Sequence, residues 1–220
     1  MLNEIIEEYY SSLFDTDYVG ALAVIHNAKK EGVTPEEIVF EIVIPSIDRM
    51  LQSFLLNQEA SISQHFLASK ISEQIVDEML PLFQQKTEKN GNIVLGTSFG
   101  DFHGLGRKIV SGCLRANLYN VIDLGLNVNP QKFIEEAINN DAQIIGISSM
   151  MVHSAVGENG CLKVKELLKE KKLTDKIKVI VGGAPYRFDK ELYKKVDADG
   201  WAENAIQSIK LVGEIIEELK

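Results

Sequence analysis

The spacing of apolar residues changes once along this chain of 220 residues. Up to about residue 86, apolar positions recur every three or four residues, which is the period of amphipathic helices. From residue 93 onward, short apolar runs rich in β-branched residues alternate with helical stretches. The pattern therefore predicts a helical domain over residues 1–86, a polar linker over 87–92 and a mixed α/β domain over 93–220.

Four segments of helical period in the first domain predict a four-helix bundle. The third segment begins at Thr34, which is followed by Pro35 in the first turn and by Glu37 three residues after the cap. Pro45 lies within that segment and is expected to bend the helix, because proline has no N–H and its ring clashes with the preceding turn. The fourth segment is predicted to turn the following residues toward the bundle core: Ile62, Phe66, Ile71, Ile75 and Met79.

In the second domain, the alternation of strands and helices predicts βαβ units and a parallel sheet. The predicted strands start near Ile93, Val121, Ile144, Val179 and Asp199. The most economical arrangement of five such strands is the flavodoxin-like order 2-1-3-4-5, in which a ligand binds where the first and third strands diverge, beyond their carboxyl ends. The predicted fold class is therefore an N-terminal four-helix bundle followed by a Rossmann-like five-stranded parallel sheet.

The candidate chemistry lies on three loops that would meet at this edge of the sheet. After the first strand, Asp101 and His103 lie among the four glycines of residues 96–106. An aspartate two residues before a histidine can accept the proton of one imidazole nitrogen, which leaves the other nitrogen free as a base or a metal ligand. Ser148 follows the third strand, and Gly182–Gly183 end the fourth, where the missing side chains would let a ligand lie close to the backbone.

These three loops resemble a known family. Asp101-x-His103-x-x-Gly106, Ser148-x-Met150 and Gly182-Gly183 are similar to the DxHxxG, SxL and GG signature of the cobalamin-binding domains of methionine synthase and of the corrinoid proteins of methyltransferase systems. The resemblance implies a cobalamin or related corrinoid cofactor, in the methylcobalamin and cob(I)alamin states, with cobalt as its metal.

By this resemblance His103 is the lower axial ligand of cobalt and Asp101 is its hydrogen-bond partner. Ser148 would meet the buried dimethylbenzimidazole tail of the cofactor, and Ser154 would complete a His-Asp-Ser proton relay. Met150 stands where the family usually has leucine, a volume-conserving change of small expected effect. The cofactor-binding residues implied in this way are Asp101, Phe102, His103, Gly104, Leu105, Gly106, Ser148, Met150, Ser154, Gly182, Gly183 and Ala184.

The order of the two domains extends the resemblance to nearly the whole chain, because the family places a helical cap module before the cobalamin-binding domain. The segments 31–35 and 44–47 resemble that cap, which shields the methyl group on the upper face of the cofactor. The chain departs from the pattern at Ala60, which stands about where a shielding aromatic residue is expected. Ile62, Phe66 or Leu67 would have to substitute for it, although bundle core is their default role.

Composition limits the partners and the compartment. The formal charge of −9 disfavours nucleic acid and anionic membranes, because both attract positive surfaces. The sequence displays neither a secretory signal nor an apolar run long enough to span a membrane, which predicts a cytoplasmic protein. Cys113 and Cys161 form no CxxC site, and a reducing compartment makes a disulfide between them unexpected.

The function implied by the resemblance is that of a non-catalytic methyl carrier. It would receive a methyl group on cobalt from a substrate-specific methyltransferase and yield it to a methylcorrinoid:acceptor methyltransferase, with tetrahydrofolate or a thiol as acceptor and a reductive activase as a further candidate partner. One alternative is a cobalamin-responsive sensor, although the sequence shows no basic helix-turn-helix region before the cap. Another is a flavodoxin-like domain for a flavin or nucleotide, which the lack of a glycine-rich phosphate loop disfavours.

Overall fold

A computed structural model describes residues 2–54, 59–83 and 90–219 of the chain. The chain divides into two compact units, Met1–Gln84 and Gln85–Lys220. The first is helical and the second is an α/β unit built on one sheet. Half of the predicted linker, residues 87–89, lies outside the described residues.

The helical unit contains the four helical segments that the sequence predicts, and this part of the predicted fold class is confirmed. They are α1 (Leu2–Phe14), α2 (Tyr18–Lys30), α3 (Pro35–Glu37) continued by a π-helical segment (Ile38–Val43) and α4 (Ile44–Gln52), and α5 (Ile62–Met79), which ends in a 3-10 turn (Leu80–Leu82). Helices α1 and α2 each bury one apolar stripe, as amphipathic helices do. The stripe of α1 consists of Ile5, Tyr9 and Leu13, and that of α2 of Ala21, Ile25 and Ala28.

Local sequence explains how the third segment begins and why it changes its helical type. The Thr34 hydroxyl accepts a hydrogen bond from the Glu37 N–H at 3.2 Å, while the Glu37 carboxylate accepts from the Thr34 N–H at 2.9 Å, so the predicted capping box is present. Before Pro45 the helix widens, and the Ile44 N–H donates to the Val39 carbonyl five residues back. The wider π-helical turn precedes the ring of Pro45, where a regular helix would clash.

Helix α5 corrects one prediction about the bundle core. Ile62 and Phe66 were expected to face inward, but they are 67% and 55% exposed. The buried stripe of α5 consists of Ala68, Ile71, Ser72, Ile75, Val76 and Met79. Phe66 is nine residues, or two and a half turns, before Ile75, so the two side chains lie on opposite sides of the helix. The buried hydrogen bond of 2.9 Å between Tyr9 and Ser72 marks the inward side.

The α/β unit contains the predicted sheet. Its strands are β1 (Gly91–Thr97), β2 (Tyr119–Asp123), β3 (Ile144–Ser148), β4 (Lys178–Gly182) and β5 (Gly200–Ala202). They are all parallel, in the order β2-β1-β3-β4-β5, which confirms the predicted topology. β1 begins at Gly91, two residues before the predicted start. Because Thr97 pairs with Ser148 and Ser148 with Gly182, the ends of three strands lie level at one edge.

Helices cover both faces of the sheet, as a parallel sheet requires. They are α6 (Leu105–Ala116), α7 (Pro130–Asn139), α8 (Val152–Val156), α9 (Cys161–Glu170), α10 (Ala184–Phe188), α11 (Leu192–Lys195) and α12 (Ala205–Glu218). Leu114 of α6 and Val212 of α12 belong to the core on one face, and Phe133 of α7 and Leu168 of α9 belong to the core on the other. In the described ranges, no helix combines the length and the apolar character needed to cross a bilayer.

The two cysteines belong to this unit and are both buried as free thiols. Burial raises the pKa of Cys113 and of Cys161 to about 12. A thiol is reactive and binds metal only as the thiolate, so neither side chain is prepared for such chemistry at neutral pH.

Candidate functional site

The loop after β1 brings a buried carboxylate and an exposed imidazole to the carboxyl edge of the sheet. Gly100 adopts the left-handed conformation with φ of 78°, which lets the chain turn back sharply after the strand. The side chain of Asp101 is fully buried, whereas that of His103 is 50% exposed. Helix α6 then begins at Leu105, with the buried Gly104 as its N-cap residue.

The Asp101 carboxylate is the centre of the hydrogen-bond network of the site. Its Oδ1 accepts from the His103 N–H at 3.0 Å and lies 2.9 Å from the His103 ring nitrogen Nδ1. Its Oδ2 accepts from the Met150 N–H and from the Ser154 hydroxyl, each at 2.7 Å. The carboxylate thus ties the loop after β1 to the loop and helix after β3.

These hydrogen bonds decide the charge of Asp101. Burial raises the pKa of the carboxyl, but hydrogen bonds from the Ser154 hydroxyl, the His103 N–H, the Met150 N–H and the His103 ring together lower that pKa below its ordinary value. The carboxyl is therefore an anion at neutral pH, and it accepts the proton of His103 Nδ1. The lone pair of the neutral ring is then on Nε2.

His103 Nε2 is available to a ligand. This nitrogen has no hydrogen-bond partner in the part of the chain that the structure describes, and the ring is half exposed. An imidazole whose Nδ1–H is held by a carboxylate is the usual state of a histidine that binds a metal, because the carboxylate fixes the tautomer and the ring orientation. The arrangement can bind a metal or accept a proton at Nε2.

The loops after β3 and β4 pass close to each other beside this pair. Ser148 is partly buried at the end of β3, and its hydroxyl has no hydrogen-bond partner among residues 2–54, 59–83 and 90–219. Gly183 has a φ of 112°, and a Cβ on it would overlap the Ser149 carbonyl oxygen. Only glycine fits there, so the backbone after β4 lies directly against the backbone after β3.

Exposed apolar side chains follow the carboxyl ends of β1, β2 and β3. Each is at least 40% exposed, and they lie in the connecting loops or at the start of α8: Phe99, Phe102, Leu126, Met151 and Val152. Above Gly106, in the first turn of α6, a Cβ would meet no atom within 4 Å. Exposed apolar groups clustered near one site are typical of a ligand-binding or interaction surface.

The structure brings the residues predicted from sequence to this one edge, although their contacts differ. Direct hydrogen bonds link Asp101, His103, Met150 and Ser154. The others lie at strand ends, in the loops that follow them or in the first turns of the following helices: Phe102, Gly104, Leu105, Gly106, Ser148, Gly182, Gly183 and Ala184.

Sequence reasoning missed three residues that hold the loops in place. The Thr97 hydroxyl donates to the Asp101 carbonyl oxygen at 2.7 Å, and the Asn127 N–H donates to the same oxygen at 3.0 Å. The Ser98 hydroxyl donates to the Ser154 carbonyl oxygen at 2.7 Å. Thr97 and Ser98 lie next to the motif and could have been considered, but nothing local to Asn127 signals a contact with the loop after β1.

A partly buried ion pair links α6 to β2. The Arg107 guanidinium, which follows Gly106 in α6 and is 6% exposed, pairs with the Asp123 carboxylate at the end of β2. Asp123 also accepts a hydrogen bond from the Gly125 N–H at 3.0 Å. The pair joins the first turn of α6 to the neighbouring strand.

Comparison with known proteins gives matches over the α/β unit and over nearly the whole chain. Residues 91–210 match the model of the B12 binding domain. A dimethylamine corrinoid protein of Methanosarcina barkeri is 31% identical over 215 residues, which cover 97% of this chain and 98% of that protein. A corrinoid protein of Desulfitobacterium hafniense is 37% identical over 129 residues, which cover 59% of this chain and 57% of that protein.

Solved structures share the fold. The monomethylamine corrinoid protein of Methanosarcina barkeri superposes with a TM-score of 0.85 at 22% identity, over 98% of this chain and all of that chain. The methanol:cobalamin methyltransferase complex MtaBC of the same organism gives a TM-score of 0.53 at 18% identity, over 97% of this chain and 80% of the matched chain.

Proposed function

Because this chain belongs to the B12-binding corrinoid proteins of methyltransferase systems, we propose that it carries a methyl group on cobalt from one methyltransferase to another. It binds cobalamin or a related corrinoid. The donor side would be a substrate-specific methyltransferase, and the acceptor side a methylcorrinoid:acceptor methyltransferase that uses tetrahydrofolate or a thiol. A reductive activase is a third proposed partner, and the cytoplasm is the proposed compartment.

The site has the chemical features that such a cofactor requires. A corrinoid is a large flat ring, and when bound it supplies a cobalt centre that accepts and releases a methyl group. The exposed Nε2 of His103 is a donor for that metal, the exposed apolar side chains that follow the strand ends suit the ring, and the open space above Gly106 leaves room for it. The residues present therefore fit the group.

The observation that carries the proposal is the hydrogen-bonded chain from His103 through Asp101 to Ser154. We propose that His103 would hold the cobalt through Nε2, that Asp101 fixes the tautomer of His103, and that Ser154 is the third member of the relay. The buried Asp101 carboxylate would hold the proton on His103 Nδ1 and so leave Nε2 free to bind the metal. The Ser154 hydroxyl, at 2.7 Å, keeps that carboxylate charged.

The remaining predicted residues have proposed roles in shaping the site. Ser148 would meet the nucleotide tail of the cofactor, which is supported by the lack of a hydrogen-bond partner for its hydroxyl within the described parts of the chain. The glycines would let the corrinoid and its tail approach the backbone. The residues proposed to line the cofactor in this way are Phe102, Gly104, Leu105, Gly106, Met150, Gly182, Gly183 and Ala184.

The relatives suggest which methyl donors to test first. Relatives that match nearly the whole chain are named for dimethylamine and trimethylamine, and the fold is shared with proteins named for monomethylamine and methanol. We propose a small methylated amine as the donor substrate of the partner methyltransferase, with methanol as the comparison substrate.

The absorption spectrum of the protein reconstituted with hydroxocobalamin tests the proposal. Wild type is expected to retain the corrinoid and to show the spectrum of histidine-ligated cobalt. His103→Ala is expected to lose that spectrum while retaining much of the corrinoid, because the ring and tail contacts remain.

His153→Ala is the matched control, since His153 is also exposed and precedes Ser154 but is not among the hydrogen-bond partners of the Asp101 carboxylate in the described residues. This variant is expected to give the wild-type spectrum. A wild-type protein that retains no corrinoid, or a His103→Ala spectrum identical to that of wild type, would overturn the assignment.

A further inference from the structure

The main chain of Asp101 is held from a second direction, by the loop between β2 and α7. The Asn127 N–H donates to the Asp101 carbonyl oxygen at 3.0 Å. The side-chain oxygen Oδ1 of Asn127 accepts from the Gly100 N–H at 2.8 Å. Asn127 therefore bonds to Gly100 and to Asp101, the two adjacent residues of the loop that lie just before His103.

The Thr97 hydroxyl bonds to both groups of this contact, so that the three residues form a cyclic hydrogen-bond arrangement. Its buried hydroxyl donates to the Asp101 carbonyl oxygen at 2.7 Å and accepts from the Asn127 N–H at 2.8 Å. The Asn127 N–H is thus shared between two acceptors, and both belong to the strand and loop that carry His103. The carbonyl oxygen of Asp101 has two donors, one from β1 and one from the loop after β2.

The backbone at Asn127 explains why this residue type suits the position. Asn127 has a φ of 52° and Gly100 has a φ of 78°, so both lie in the left-handed region. Asparagine is among the few non-glycine residues that tolerate this region, and unlike glycine it also offers a side-chain acceptor. The position needs both properties at once.

We propose that Asn127 is a positioning residue for the His103 imidazole, acting through Asp101. The inference rests on the proposed role of His103 as a metal ligand. The two oxygens of the Asp101 carboxylate face different loops, with Oδ1 toward His103 and Oδ2 toward Met150 and Ser154. When the Asn127 side chain no longer bonds to Gly100, the residue before Asp101, the contacts at Oδ2 remain, and the carboxylate moves with the loop after β3 and away from the ring.

Losing the Asn127 contact is expected to weaken ligation of cobalt by the histidine while the corrinoid stays bound. A less firmly held Asp101 orients the imidazole less well. The exposed apolar side chains that follow the strand ends are all still present. The equilibrium ratio of histidine-ligated to unligated cobalt is expected to fall about fivefold, the effect of losing one net hydrogen bond. Retention of the corrinoid is expected to stay close to that of wild type.

Two substitutions separate the side-chain acceptor from the backbone conformation. Asn127→Gly removes the acceptor for the Gly100 N–H but keeps the left-handed backbone without strain. Asn127→Asp keeps both an acceptor oxygen and a residue type that tolerates this backbone. The ligated fraction is expected to fall in Asn127→Gly and to be preserved in Asn127→Asp.

The readout is the electron paramagnetic resonance spectrum of cob(II)alamin bound to uniformly 15N-labelled protein. A protein imidazole then splits the cobalt lines into doublets, whereas the unlabelled base of the cofactor would give triplets, so the signal reports the histidine alone. Corrinoid retention is measured on the same samples from the cobalt content after gel filtration.

Asn129→Ala is the matched control. Asn129 is in the same loop, and its side chain accepts from the Gln131 N–H at 2.9 Å as the N-cap of α7, with no bond to the loop after β1. Its loss is expected to lower the melting temperature while leaving the ligated ratio unchanged.

The possible outcomes distinguish the proposed function from the proposed role of Asn127. A wild-type spectrum without 15N doublets would remove the proposed function, and the inference with it. A wild-type spectrum with doublets that Asn127→Gly leaves at the same ratio would overturn the inference alone. Equal losses of ligation in Asn127→Gly and Asn129→Ala would also overturn it, because they would reflect general destabilisation.

Discussion

Two glycines at the edge of the sheet show how folding and ligand binding make different demands on single residues. Gly183 is needed by the fold, because its φ of 112° and its closeness to the Ser149 carbonyl exclude a side chain. The fold does not need a glycine at position 106. Gly106 is helical and exposed, and a Cβ there would meet nothing within 4 Å. A glycine that the fold does not need suggests a requirement set by the ligand.

Gly106→Ala is therefore expected to change stability and corrinoid binding in opposite directions. Alanine in a helix is favoured over glycine by about 0.5–1 kcal/mol, so the free energy of unfolding of the corrinoid-free protein should rise. The added methyl group occupies the space proposed for the corrinoid, so retention of hydroxocobalamin should fall. Urea unfolding and cobalt content after gel filtration measure the two effects.

Gly213→Ala is the control for this pair of effects. Gly213 lies inside α12, and a Cβ there would make an ordinary contact of 3.4 Å with the Tyr119 hydroxyl at the start of β2, away from the site. It is expected to gain stability and to bind corrinoid as wild type does. Unchanged corrinoid retention in Gly106→Ala would show that the space above Gly106 is not used.

At the residue scale, the sequence predicts what is local and misses what is distant. Asp101 and His103 are two positions apart, so their contact follows from the loop they share. The Ser154 contact with Asp101 spans 53 positions and was predictable only through the resemblance to a family. The contacts of Asn127 had neither source, because they depend on how the loop after β2 turns beside β1.

Among the elements, the junction between α6 and β2 depends on one ion pair. Arg107 is 6% exposed and Asp123 is 21% exposed, so the guanidinium depends on this carboxylate for its counter-charge. Charges removed from water are costly when they are left alone, and breaking such a pair from one side destabilises a protein more than the pair itself contributes.

Asp123→Asn is expected to destabilise the protein by about 2–3 kcal/mol, somewhat less than the loss of a partner in a fully buried pair. The reason is that the guanidinium of Arg107 stays charged and buried but loses the carboxylate that balances its charge. Urea unfolding at neutral pH measures the difference. Glu166→Gln provides the comparison: the exposed pair of Glu166 with Lys163 is of a kind that contributes under about 1 kcal/mol. Equal losses in the two variants would contradict the argument.

Whether an element can be predicted from sequence also depends on whether local patterns or distant contacts decide it. The strand order was predictable because parallel βαβ units restrict the topology of the sheet to few arrangements. The inward face of α5 was only partly predictable: Ile62 and Phe66 share one side of the helix, Ile71 and Ile75 share another, and only packing decides which side is buried. The π-helical segment before Pro45 could not be predicted either, because proline indicates a disturbance but not its form.

At the scale of the whole molecule, the acidity of the chain belongs to one unit. Met1–Gln84 contains 14 acidic and 4 basic residues, a formal charge of −10, whereas Gln85–Lys220 contains 18 acidic and 19 basic residues, a formal charge of +1. Electrostatic attraction of a basic partner surface is therefore a property of the helical unit, and the corrinoid-binding unit is close to neutral.

The stability of the whole protein should also depend on pH through Asp101, and the direction follows from its pKa. Folding lowers the pKa of this carboxyl, so its contribution to stability is complete above the unfolded value of about 4 and is lost as the pH falls through the lower folded value. Asp101→Asn cannot be charged and so cannot have this dependence. The difference in unfolding free energy between wild type and Asp101→Asn is therefore expected to be largest at neutral pH and to narrow below about pH 4.

Urea unfolding of the corrinoid-free protein at a series of pH values from neutral down to about 3 measures this difference. Asp175→Asn is the control, because the exposed carboxyl of Asp175 has no hydrogen-bond partner in the described ranges, and this variant should follow the wild-type curve. A difference between wild type and Asp101→Asn that stays constant with pH would mean that the shape of the carboxyl group, and not its charge, holds the loops together. A difference that narrows in acid would tie the stability of the fold to the same negative charge that fixes the tautomer of His103.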